Sequence, residues 1–145
     1  MTLPSEESLP PQAANEGFAD FSACCDAIEE AYEFMLAYAA QGLPTEEGST
    51  SGSQIRTYLR KCEAALTGLC AAVTSRVQQL SIPSTAPYDA FIDVVDRDVR
   101  SALAAVALVL AQPSISSQLV DNLNASIHLR AVLTDLFLLD EVLKK

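Results

Sequence analysis

Large apolar side chains recur along most of this chain at alternating spacings of three and four residues, the period of a helix with one buried face. In a first segment the set is Phe18, Phe21, Cys25, Ile28, Tyr32, Met35 and Ala39. A second carries Ile55, Leu59, Cys62, Leu66, Leu69, Val73, Val77 and Leu80, with Ser53 placed to cap its start. The third runs from Tyr88 to Ala111, has Asp89 and Asp93 in its first turns where the helix dipole favours anions, and is stopped by Pro113. The fourth runs from Ile115 to Leu143 and ends on Lys144 and Lys145, the sign that a helix C-terminus prefers. Between them lie GLPTEEGSTSGS (Gly42–Ser53), SIPSTAP (Ser81–Pro87) and QPS (Gln112–Ser114), none of which continues a helix. No stretch sustains the alternation of a strand.

This pattern predicts an all-α fold, an antiparallel four-helix bundle with helices near 17–41, 53–81, 88–112 and 115–143. The bundle forms one domain over 17–145. Residues 1–16, with three prolines and few apolar side chains, read as a disordered acidic arm. Folding the first helix back on the second sets Cys25 opposite Cys70, both beside the buried stripe. Cys24, one position round the helix, is then the more accessible thiol.

Two stretches carry more apolar surface than one buried face needs. Ser101–Ala111, SALAAVALVLA, is apolar around its whole circumference after Ser101, and Val132–Leu143 nearly so. In the second, helical phase puts Val132, Leu136, Leu139 and Leu143 on one face and Leu133, Phe137 and Asp140 on another. The first row is expected to face the bundle. Leu133 and Phe137, with Leu108 and Leu110 on the third helix, are then the candidate interface residues, since a wet monomer would leave a large exposed patch.

Composition narrows the function. Half of the 145 residues are hydrophobic, enough for one core. No apolar run is long enough to span a bilayer, and MTLPSEESLP lacks the basic and apolar regions of a signal peptide, so a cytoplasmic protein is expected. The net charge of −10 sits in the first third: ten acidic residues and no Lys or Arg precede Arg56, after which nine of each sign balance. That layout argues against nucleic acid as a partner and suits a basic protein.

Candidate chemistry is sparse. The acidic stripe Asp26, Glu29, Glu30 and Glu33 lies opposite the apolar face, and a di-iron bundle needs two Glu-x-x-His units where this chain has a single His. Four cysteines without a C-x-x-C pair read as small core hydrophobes, not zinc ligands. No nucleophile motif or Gly-rich phosphate loop is present, so neither enzyme nor cofactor is expected. His128 is expected on a polar stripe with Asp121, Asn124, Ala131 and Asp135. Its surroundings, His128-Leu129-Arg130-Ala131, resemble the His-x-Leu-Lys-Gly signature of histidine phosphotransfer domains, with the Leu one place early and no Gly. That resemblance, over about four residues, implies a phosphoacceptor role for His128. The reading from the residues is a non-enzymatic interaction protein, a small adaptor, chaperone or assembly factor acting as a homodimer through its last two helices. An acidic immunity or antitoxin-type inhibitor of a basic protein is the alternative, and a phosphotransfer module is third.

Overall fold

The computed structural model describes residues 20–144, which form five α-helices and, among those residues, no strand. The arm predicted over 1–16 lies outside the described residues, as does Phe18. The helices are α1 (Phe21–Ala40), α2 (Thr50–Gln79), α3 (Ala86–Leu110), α4 (Ser117–Ala125) and α5 (Ile127–Leu143). α1 packs on α2 and α4, α2 on α3, and α3 on α5, while α1 and α5 barely meet. One continuous core joins all five.

Three of the five helices, α1, α2 and α4, start on a side-chain cap, though not always the one expected. Asp20 accepts from Ser22 N–H at 3.3 Å to open α1. The cap of α2 lies four residues before the predicted one: Ser49 accepts from Gly52 N–H at 2.8 Å, and Ser53 lies inside the helix, donating its hydroxyl to Thr50 O. Gly52 is tolerated there because it is required: a Cβ would collide with the carbonyl of Glu46, which the preceding loop lays across the first turn. That loop leaves α1 through Gly42 at φ +67°, a left-handed position that favours glycine. Pro87 opens α3, and Ser116 caps α4 by accepting from Leu119 N–H at 3.0 Å.

The predicted last helix is two helices, broken at Ser126. This residue takes an extended conformation (φ −66°, ψ 150°), and its N–H closes α4 on the carbonyls of Asn122 and Leu123. The break lets the two halves go to different neighbours. α4 is held against α1: Asn124 Nδ2 donates to Met35 O at 3.1 Å, Ser117 Oγ to Tyr38 O at 2.6 Å, and Tyr38 Oη to Ile115 O at 2.6 Å. α5 instead lies along α3. Its C-terminal carbonyl at Leu143 accepts from Arg76 of α2, at 3.1 and 3.3 Å.

α1 is also rotated relative to its predicted phase. Its most deeply buried row is Phe21, Cys24, Ile28, Ala31, Met35 and Tyr38, while Tyr32 and Ala39 are only half-buried. Small residues explain the rotation: Cys24, Ala27 and Ala31 allow close approach of neighbouring helices, and the bulkier Tyr32 and Phe34 flank the contact. Phe34 stacks on Tyr58 of α2 with ring centroids 4.1 Å apart.

The cysteines follow from this rotation. Cys24, Cys25 and Cys62 are buried, and Cys24 is deeper than Cys25, the reverse of the expected order. Burial pushes their thiols up, to about 11 for Cys24 and about 12 for Cys25 and Cys62, so they behave as apolar packing groups. Cys70 is half-buried. It does not pair with Cys25: its charged neighbours are Asp96 and Arg100 of α3, whereas those of Cys25 include Asp140 of α5. The two thiols face different helices.

Candidate functional site

Much of the apolar surplus is absorbed by packing. Along α3, Ala102, Val106 and Val109 are buried and Leu103, Ala105 and Leu110 pack against the core. The outward positions are filled by Ala104, Ala107 and Leu108, so only Leu108, 66% exposed, puts a large side chain in water. Leu110, expected at an interface, is half-buried instead, because it sits next to the last buried Val109 as α3 ends.

α5 keeps more of its surplus outside. Val132, Leu136, Leu139 and Leu143 all face the interior, as the phase predicts. Leu133 is also buried, at 7% exposure, which corrects its placement on an outer row. Val132, Leu133 and Leu136 are all buried, and Phe137, one turn on from Leu133, is left at 63% exposure. Leu138 and Val142, at 54% and 48%, are exposed residues that the sequence reading passed over, as are Ile127 at the start of α5 (70%) and Leu36 of α1 (47%). Leu138 and Val142 lie four residues apart, each immediately before a buried leucine (Leu139, Leu143), on the flank towards the start of α3.

Two concave sites frame this surface. Leu138, Leu139 and Val142 meet Pro87, Tyr88 and Phe91 of α3 in an apolar groove of about 370 Å³. Every lining residue is an aliphatic, proline or aromatic side chain. On the opposite flank of α5, facing α1, a cleft of about 400 Å³ has Tyr32, Leu133 and Phe137 beside Glu29, Glu33, Arg130 and Thr134. It brings together the acidic stripe and the row that carries Phe137. Leu108 and Leu110 lie at the far end of α3 and line neither.

The acidic stripe is not uniform. Asp26, Glu30 and Glu33 are exposed, and Glu30 pairs with Lys61 at 3.6 Å, but Glu29 is half-buried. Its carboxyl is pushed up, first by burial and then by Asp26, Asp140 and Glu33. Asp140 comes from α5, so negative charge from two helices converges there. Among the described residues no group of three or more His, Cys, Asp or Glu side chains could hold a metal ion.

The polar stripe proposed around His128 does not form. His128 is exposed in the first turn of α5, but the break at Ser126 takes Asp121 and Asn124 onto a different helix. Asn124 is buried against α1, and Asp135 is buried at 7% exposure. Asp135 faces the half-buried Asp98 of α3. Its Oδ2 has no hydrogen-bond donor among the described residues, as must hold when the neighbour is another carboxylate. A hydrogen bond between two carboxyls requires a proton on one of them. Burial first, then that hydrogen bond and the charge of Asp98, raise Asp135 to about 7.

Comparison with protein-family models, curated proteins and solved structures finds no match. Among the described residues no helix is long and apolar enough to cross a membrane.

Proposed function

We propose that this is a non-enzymatic interaction protein of the adaptor, chaperone or assembly-factor kind, working in the cytoplasm. It acts through the apolar surface of α3 and α5. The observation that carries this reading is the all-apolar groove of Pro87, Tyr88, Phe91, Leu138, Leu139 and Val142, with the exposed ring of Phe137 on the other flank of α5. Wet apolar surface of this kind gains from being covered, at about 25 cal/mol per Å². We take a second copy of the chain as the partner, the self-complementary pairing through one shared patch being the commonest oligomer. In the same reading the helices form an antiparallel up-and-down bundle, with α4 and α5 together serving as its fourth member.

Leu138→Ser with Val142→Ser tests the reading, because both residues are half exposed and their loss should cost the monomer little. Circular dichroism is expected to stay helical while light scattering falls from the dimer mass to the monomer mass. A wild-type chain that is monomeric at micromolar concentration would count against the homodimer, and an unchanged variant mass against the groove.

A second reading is favoured by the convergence of Asp26, Glu29, Glu33 and Asp140. Unrelieved repulsion there is complementary to a basic protein, and the chain would then act as an acidic inhibitor of it. Binding of a lysine-rich peptide that weakens with added salt, and is lost in Glu29→Gln with Glu33→Gln, separates this from the first reading.

A further inference from the structure

We propose that the cleft between α1 and α5 receives an amphipathic basic helix of another protein. Its apolar side chains enter beside Phe137, and its Lys or Arg side chains reach the glutamates of α1. This deepens the second reading above, on which it rests, by naming the surface and the form of the partner.

α1 and α5 barely meet, and the cleft between them has Tyr32, Leu133 and the exposed ring of Phe137 as its apolar lining. The apolar strip continues past the cleft. Leu36 lies four residues on from Tyr32, and Ile127 three before Arg130, spacings that keep each on the same face of its helix as a cleft residue. Both stand at the seam with α4: the carbonyl of Met35, next to Leu36, accepts from Asn124, three residues before Ile127. Leu36 and Ile127 are exposed, like Phe137. From Asp26 to Leu36 the strip covers roughly 15 Å of α1, the length of about three turns of a partner helix. Grooves of this kind take a helix whose apolar anchors recur every three or four residues.

Charge selects the occupant. Glu29 and Glu33 line the cleft, while Asp26 and Asp140 lie one turn from Glu29 and Phe137 on the same faces. Among the described residues neither glutamate has an ion-pair partner: Lys61 is engaged with Glu30 at 3.6 Å, and Arg130 donates to Ala125 O at 3.4 Å. Burial first, then Asp26, Asp140 and Glu33, push the Glu29 carboxyl up, a penalty that an incoming cation relieves. A second copy pairing through this cleft would set the same carboxylates against these. The 19 residues before Asp20 carry three glutamates and no Lys or Arg, so the chain's own N-terminal segment has the wrong sign. A basic helix of another protein matches both the strip and the charge.

Fluorescence anisotropy tests this, using the full chain and a labelled peptide of about 18 residues with Leu along one helical face and Lys along the other. A peptide of the same composition with its faces scrambled and a lysine-only peptide serve as controls. The wild type is expected to bind the amphipathic peptide roughly tenfold more tightly than either control. Phe137→Ser and Glu33→Lys, both at exposed positions, should each weaken that complex roughly tenfold. Leu108→Ser, which removes an exposed leucine lining neither hollow, should not. Equal affinity for the amphipathic and scrambled peptides, or indifference to Phe137→Ser, overturns the inference and leaves a basic partner bound by charge alone. Weakening by Leu108→Ser as large as by Phe137→Ser shows undirected apolar adhesion and overturns it as well. Failure of all three peptides to bind at low salt removes the underlying reading with it.

Discussion

Arg56→Met is expected to destabilise the protein by roughly 2–4 kcal/mol, measured by urea unfolding, although the residue sits near the surface. Its guanidinium joins three parts of the chain. Nε and Nη2 donate to the two carboxylate oxygens of Glu46 at 2.7 and 3.0 Å, while Nη1 and Nη2 reach the carbonyls of Leu110 and Gln112 at 2.9 and 2.8 Å. Those carbonyls belong to the C-terminal end of α3 and the turn beyond it. Glu46 in turn accepts from Ile115 N–H at 2.7 Å, so the ion pair organises both the 41–49 loop and the approach to α4. The side chains are 25% and 17% exposed, so most of the cost is the desolvated Glu46 and the carbonyls left without their donor. The hydrogen bond from Arg56 holds the Glu46 carboxyl below its ordinary value. Its stabilisation is therefore present above the unfolded carboxylate range and is lost as pH falls through the lowered folded value. Glu46→Gln should remove that acid sensitivity. If Arg56→Met unfolds with the wild type, the network is ornamental and the loop is held by packing alone.

Leu133→Ser and Phe137→Ser are expected to part company, though they lie one turn apart on α5. Burying a hydroxyl and losing most of a leucine at a 7%-exposed site should cost about 3 kcal/mol. At Phe137, 63% exposed, the monomer should lose no more than about 0.5–1 kcal/mol, and any large effect should appear in association. Thermal unfolding alongside light scattering distinguishes the two. A Leu133→Ser chain as stable as the wild type would show that α5 is rotated from the position described here.

The helical class and the main interior row of α5 were legible in the sequence, because apolar spacing encodes them directly. The phase of α1 was not, since Phe21 and Ile28 fit two adjacent rows equally well. Size decided between those rows: Ala31 and Cys24 allow close packing where Tyr32 would not. The break at Ser126 carries neither Pro nor Gly. Its available signal was Ser126 before the β-branched Ile127, a cap in the middle of an apparently continuous pattern. Ser49 was missed because a helix was not expected to run through Gly52, and only the nearby Glu46 carbonyl makes that glycine intelligible. Asp135 was assigned to a polar stripe through its spacing from His128. Its spacing from Val132 and Leu139, three back and four on, already placed it on the buried face. Of the candidate surface, Phe137 and Leu108 could be read from the pattern. The groove could not, because it needs the register between Phe91 and Leu138.

The seam between α1 and α4 bears on the order in which the chain folds. Its hydrogen bonds join residues 77, 79 and 89 positions apart, whereas the Phe34–Tyr58 stack joins α1 and α2 across a single connection. Local contacts repay their loop-closure entropy early, and distant ones only after the intervening chain is in place. The α1–α2 pair is thus the natural nucleus, with α4 docking on it after the rate-limiting step. Removing the Asn124 amide should then leave the folding rate nearly unchanged and accelerate unfolding, a signature that stopped-flow kinetics would read as a φ-value near zero.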